Sequence, residues 1–342
     1  MKVSAYISWK IKALSLIMII LVLYVHAQLV GVESHTSFWV FQNFVSSYVA
    51  RVFQPLFFTI SGYLFFVGFK PALVSFVNKY KSRFSSLAIP YLFWNIAFFL
   101  VIILLKSLPV IGNYVNADYS ELYASGVEGW LNALFVAPMA FHLWFIRDLI
   151  VIVLLSPLIW WCSKYIPFLF IPLLIIGELI GGISCLSSAV PFSIGAWLAI
   201  KNVNIDSLTM KNKWIWICGG VALVVGLAQS VSYSYNSYTY YLTWPLFLFI
   251  WFGYDYLYRV KEIHFNIFER LVSYTFFIYV FHEPALNIFK KTILLLDKNA
   301  EWTLWVCFLL SPLLMIIFSI GVAELLKRSC KRFYILIVGG RQ

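Results

Sequence analysis

The chain has 342 residues, of which 62% are hydrophobic, 20% aromatic and only 11% charged, and its mean hydropathy is +0.88. A soluble domain of this composition would expose far too much apolar surface to water, so a polytopic membrane protein is expected. The formal charge of +11 comes from Lys and Arg residues that punctuate the ends of apolar runs without forming a tract, a pattern of membrane topology that argues against a nucleic-acid partner.

The first long apolar run, Ile11 to Val30, is long enough to span a bilayer and carries His26 near its far end. Fourteen helical steps separate Lys12 from His26, on the order of 20 Å, which places the imidazole past the midplane and short of the far surface. An ionisable group at that depth is costly unless it faces a bundle interior or a wet cavity, although one His can also serve as packing glue between helices. Two further histidines, His142 and His282, fall in or at the end of other apolar runs. The basic start resembles a signal peptide, but the run is too long and lacks a convincing small-residue cleavage site, so an attached anchor is expected.

Hydropathy predicts about ten spans, at 13–33, 52–70, 84–106, 143–162, 165–183, 188–201, 213–231, 239–258, 270–290 and 302–326. The result is an all-α helix bundle forming a single domain over residues 1–342. A cytoplasmic N-terminus puts 19 of the 25 Lys and Arg on the cytoplasmic side, and an even number of spans returns the C-terminus there. The longest outer connection, 107–141, carries Asp118, Glu121 and Glu128 and is expected to fold over the outer mouth. The fifth and sixth spans are interrupted at Gly181-Gly182. The five cysteines (Cys162, Cys185, Cys218, Cys307 and Cys330) show no CxxC pairing and no ligand spacing to His, so they read as small core residues, with neither disulfide framework nor zinc site.

Polar residues in and beside the spans carry the chemical signal. In the second span, Phe57-Phe58-Thr59-Ile60-Ser61-Gly62 places two small residues after a bulky pair. Such smallness lets helix backbones approach, or makes the floor of a narrow substrate slot. Arg51, just before that span, reads as an interfacial charge or a contact for an anionic acceptor. Lys79, Lys81 and Arg83 precede Ile89-Pro90-Tyr91-Leu92-Phe93-Trp94, as topogenic residues or as partners for the phosphates of a cytoplasmic donor. The fourth span opens with Phe141, His142, Leu143, Trp144, Phe145, Ile146, Arg147 and Asp148. Adjacent residues on a helix do not face each other, so Arg147 and Asp148 are each expected to find a partner elsewhere in the bundle. In the ninth span, Tyr279, His282 and Glu283 share a helical face. Pro284 cannot donate to the carbonyl of Val280, leaving a free acceptor and a kink beside the polar cluster.

With His26, the Phe57 to Gly62 run, the Arg83 to Trp94 stretch, His142-Leu143-Trp144-Phe145 and Tyr279 to Pro284 in this order, the chain resembles the acyltransferase family 3 membrane proteins. Members transfer an acyl group, usually acetyl from acetyl-CoA, to hydroxyls of cell-surface carbohydrates. The resemblance implies a multi-pass protein of the bacterial cytoplasmic (inner) membrane, with acetyl-CoA as donor and no metal. It also implies an acceptor among exported or lipid-linked glycans, such as lipopolysaccharide O-antigen or capsule. In the family the first-span His is regarded as catalytic, a role that falls here on His26. Two departures stand out: Ser15 occupies a position where many members carry Arg or Lys, and Ser86 one where a second Arg follows the residue matching Arg83. Lys12, Lys79 and Lys81 are alternative donor contacts.

A sugar hydroxyl is a weak nucleophile near neutral pH, and an imidazole is suited to deprotonate it as it attacks a thioester. His26 is the expected general base, with His282 and Glu283 as further catalytic candidates. Ser61, Tyr279 and Arg147 are unranked oxyanion donors, and either Glu283 or Asp148 is available to orient a histidine. Ser61, Tyr279, His142, Trp144, Arg147, Asp148, Lys79, Lys81 and Arg83 make up the expected substrate-binding and donor-binding set. A lipid-linked sugar transporter or flippase, or a carrier of acyl groups across the membrane, is the competing reading, since kinked helices and buried charges also mark transporters. Oligomeric state is not readable from the sequence.

Overall fold

Apolar runs inside a bilayer have no water to satisfy their peptide groups and must close their hydrogen bonds within helices. The computed structural model describes residues 3–33, 36–109, 111–115, 119–181, 184–232, 240–261, 270–297 and 300–341, and among them every regular element is helical. Besides short turns at Ile111–Tyr114 and Ser120–Ala124, the helices are α1 (Ala5–His26), α2 (Ser37–Phe66), α3 (Leu73–Ser107), α4 (Gly126–Val136), α5 (Phe141–Leu154), α6 (Ser156–Tyr165) and α7 (Pro167–Gly181). They continue as α8 (Ser184–Ile200), α9 (Asn212–Ser232), α10 (Trp244–Lys261), α11 (Thr275–Leu294), α12 (Glu301–Ser329) and α13 (Lys331–Ile337). The protein is thus an all-α polytopic membrane protein. Helices α1, α2, α3, α9 and α12 are individually long and apolar enough to cross a membrane, and α4 with α5 adds a sixth candidate broken by a 56° bend.

The remaining expected spans fall on shorter or interrupted helices. The 143–162 stretch divides into α5 and α6, and α7 and α8 have 15 and 17 residues. Gly182, Asp118 and the interval 262–269 lie outside the described residues. Helix α2 begins at Ser37, well before the expected start of the second span, and passes through a π turn at Phe44–Val49. Cys330 is exposed at the junction of α12 and α13, unlike the buried Cys162 and Cys307.

Small residues set the closest helix contact. A Cβ on Gly62 of α2 would lie 2.0 Å from the carbonyl oxygen of Phe192 on α8, and one on Gly195 would lie 2.0 Å from that of Thr59. The two glycines thus dock α2 and α8 reciprocally. This is the packing reading of Gly62, while Ser61 beside it faces a cavity.

The long connection before α5 does not simply cap the outer mouth. Helix α4 runs inward along α3: Trp130 packs on Phe99 at 5.3 Å, Asn95 Nδ2 donates to Ala133 O at 3.1 Å, and Tyr91 Oη donates to Leu134 O at 2.7 Å. Asn95 Oδ1 also accepts from Ala140 N at 2.8 Å, so one buried amide holds both arms of the dip. Two side chains of α3, Tyr91 and Asn95, thus bond three peptide groups at a break in the apolar layer.

Both ends of the described chain lie at the same end of the bundle. Ser4 Oγ donates to Asp206, Tyr63 Oη donates to Val203 O, Lys79 lies 5.2 Å from the Phe65 ring, and Arg341 Nη1 donates to Ser86 O. Lys10 is not a loop charge: it is buried, paired with Asp255 of α10 at 2.8 Å, and stands 3.8 Å over the Trp251 ring.

Replacing Gly62 by Ala overpacks a backbone contact, for which costs of about 1–3 kcal/mol are typical. Thermal unfolding of the purified protein should show a clearly lower Tm for Gly62→Ala than for Gly220→Ala, where nothing lies within 4 Å of the added methyl. Equal Tm values would refute the tight docking of α2 and α8.

Candidate functional site

The site forms where α11 breaks. Glu283 has extended dihedrals (φ −105°, ψ 139°) inside α11, and the following Pro284 has no N–H. Pro284 leaves the carbonyl of Val280 without its regular helical donor, and imidazoles bond to that carbonyl and to that of Tyr279. His282 Nδ1 lies 2.7 Å from Tyr279 O, and His142 Nε2 lies 3.2 Å from Val280 O. A carbonyl oxygen only accepts, so these nitrogens carry the protons. In the neutral rings His282 Nε2 and His142 Nδ1 then bear the lone pairs, and neither has a hydrogen-bond partner among the described residues. Tyr279 Oη closes the loop by donating to His142 O at 2.7 Å.

His26, the last residue of α1, completes the cluster. Its ring centroid lies 4.9 Å from that of His282, which in turn lies 4.7 Å from that of His142. His142 and His282 are buried, whereas His26 keeps part of its surface accessible. One ring nitrogen each of His26 and His282 and a carboxylate oxygen of Glu283 lie within 4.8 Å of one another. The end of α1 is fixed by Lys290, whose Nζ donates to His26 O at 2.8 Å and Gln28 O at 3.0 Å, a cation on the carbonyls of a helix C-terminus. Asn287 Nδ2 donates to Glu283 Oε2 at 2.7 Å. Lys290 and Asn287 were not singled out from the sequence, although Glu283, Asn287 and Lys290 are spaced four and three residues apart as on one helix face.

Below the cluster lies a cavity of about 240 Å³ lined by Ser15, Ser61, Phe57, Phe145, Val22 and Tyr279 among others, with Arg83 and Arg341 at its basic end. Val22 and Tyr279 stand about one helical turn from His26 and His282, so the deep end stops just short of the imidazoles. From Ser15 to Val22 the cavity follows α1 for about 10 Å.

Other expected site residues are placed differently. Trp144 packs on Phe53 at 6.1 Å, and it is Phe145 that lines the cavity. Lys79 lies against Phe65, and Lys81 lines a separate groove with Tyr80 and Phe84 to which Arg83 also contributes. Arg147 and Asp148, each expected to find a partner elsewhere in the bundle, form an ion pair with each other at 2.6 Å. The long Arg147 side chain brings both Nε and Nη2 to the carboxylate of its neighbour. Each also binds further away, Arg147 to Val136 O and Asp148 to Ser188 Oγ. Backbone carbonyls, and neither Asp148 nor Glu283, thus hold the tautomers of His142 and His282.

A sequence profile described as an acyltransferase domain, that of acyltransferase family 3, matches residues 10–324. The chain belongs to acyltransferase family 3. No curated protein and no solved structure matches it. Membership makes this helix bundle an acyltransferase, and the matched interval includes every member of the histidine cluster. Arg341 lies outside it.

In this acyltransferase the His26, His282 and Glu283 donors would also suit a divalent metal ion. Acid–base use of the cluster predicts that EDTA leaves acyl transfer within about twofold of the untreated rate; loss restored by Zn²⁺ would instead assign the three groups to a metal. Truncating His142 leaves the buried Val280 carbonyl unpaired, a cost of about 1–3 kcal/mol. His142→Phe should therefore lower the Tm, and an unchanged Tm would show that this bond does not hold the broken helix.

Proposed function

We propose that this family 3 acyltransferase moves an acetyl group from acetyl-CoA at the basic end of the bundle to a hydroxyl of an exported or lipid-linked glycan, with His26 as general base. The observation that carries the reading is the cavity that leads from Arg83, between apolar walls and past Ser15 and Ser61, to within one turn of His26 and His282. A cation at one end suits nucleotide phosphates, and a narrow apolar passage suits a pantetheine arm carrying a thioester. The positive-inside rule assigns the basic end to the cytoplasm, where the donor is made. The accessible face of His26 then receives the acceptor from the other side.

In this scheme the hydroxyl oxygen attacks the thioester carbonyl while a ring nitrogen of His26 takes its proton. The resulting imidazolium is stabilised by the Glu283 carboxylate and by the lone pair of His282 Nε2, which its bond to Tyr279 O keeps aimed away from the backbone. Collapse of the tetrahedral intermediate breaks the C–S bond, and His26 returns the proton to the departing thiolate. Ser61 faces the cavity and is the preferred oxyanion donor of the three considered, since Tyr279 Oη is committed to His142 O and Arg147 to Asp148 and Val136. A bacterial inner-membrane location follows from the same reading.

General-base assistance is typically worth about 10²–10⁴ in rate. Purified His26→Ala in liposomes, offered radiolabelled acetyl-CoA and a surface glycan, should lose at least the lower figure while keeping its Tm. Transfer at the wild-type rate would remove His26 from the chemistry. If the wild type transfers nothing from acetyl-CoA, the donor assignment falls.

A further inference from the structure

The last residues of the chain bring a second guanidinium to the basic mouth of the cavity. Helix α13 ends at Ile337, and Gly339 and Gly340 follow with φ of +67° and +79°, a left-handed turn that favours glycine. A Cβ on Gly339 would lie 2.5 Å from Ser86 O, so only glycine lets this turn press against α3. The turn delivers Arg341 under Arg83. Arg341 Nη1 donates to Ser86 O at 2.8 Å and to Val338 O at 2.9 Å, and the guanidinium lies 3.9 Å from the centroid of the Phe276 ring.

This is a built position. Two backbone carbonyls and one aromatic face orient a half-buried guanidinium without neutralising it. Burial, and then the nearby Arg83, push its pKa down to about 10, so it stays cationic at neutral pH. No ion pair joins Arg83 or Arg341 to a carboxylate among the described residues, whereas Lys10, Arg147 and Lys327 each have one. Two cations brought together at a cavity mouth repel unless an anion lies between them. Arg is suited to bind phosphate oxygens in its planar fork.

We propose that Arg341 and Arg83 form a two-arginine site for the phosphate groups of the thioester donor. Arg341 thereby supplies from beyond α13 a cation at the place where Ser86, inside α3, carries none. The inference rests on coenzyme A being the donor.

Binding to the full-length protein in detergent separates the two ideas. Wild type should bind coenzyme A, and Arg341→Gln should weaken it by about 10-fold to 100-fold, the range for hydrogen bonds to charged groups. Pantetheine, which lacks the nucleotide phosphates, should bind both proteins equally, and that equality also certifies the fold of the variant. Coenzyme A bound equally by wild type and variant overturns the arginine site and leaves the donor assignment standing. Failure of wild type to bind coenzyme A overturns the donor assignment and the site with it. A measurement without mutation guards against misfolding: in wild type, coenzyme A but not pantetheine should protect Arg341 and Arg83 from phenylglyoxal, read by peptide mass spectrometry. Undiminished labelling of Arg341 overturns the proposal.

Discussion

The break in α11 at Glu283 and Pro284 is the constraint on which the site depends. A membrane helix ordinarily uses every carbonyl internally, and a carbonyl released at that depth must find another donor. Here the released acceptor, Val280 O, is met by the imidazole N–H of His142 from another helix, while His282 within α11 donates to Tyr279 O. The interruption therefore does more than bend a helix: it fixes which nitrogen of each histidine is protonated and which is left for chemistry. His142 reaches Val280 because Asn95 holds the inward dip before α5, so the arrangement links α3, α5 and α11.

Charges in the bundle divide by how they are satisfied. Lys10 with Asp255, and Arg147 with Asp148 and Val136 O, are sets that tie helices together, each with one fully buried charge, Lys10 or Asp148. Breaking such a buried pair is costly because one uncompensated charge stays behind. Lys290 is satisfied by the carbonyls at the end of α1 and so positions His26 without touching its ring. Arg83 and Arg341 are different, sharing a cavity mouth with no ion pair to an acid among the described residues. The cavity thus carries cations at one end and stops just short of the imidazoles at the other.

The membrane character, the helical class, the first-span His26 and the disruptive Pro284 were legible in the sequence, because each follows from hydropathy, from a buried ionisable group or from a missing N–H. So was the family, from five short motifs in a fixed order, matched over residues 10–324. Free acceptance at Val280 was also readable; its partner was not, since His142 lies 138 positions away.

What the tertiary structure alone decided are the relations between distant stretches. The inward dip of α4 looked like a surface loop because its composition is mixed and its three anchors sit on α3. The Arg147–Asp148 pair ran against the helical facing rule because a long flexible side chain can turn to the carboxylate beside it. Arg341 did not stand out in the sequence, since nothing local ties residue 341 to residue 86. Hydropathy and spacing are properties of neighbours along the chain, so the sequence by itself determined the elements and their chemistry. Which imidazole faces which carbonyl, and which cation faces the cavity, are set by packing between elements, and only the folded bundle decides them.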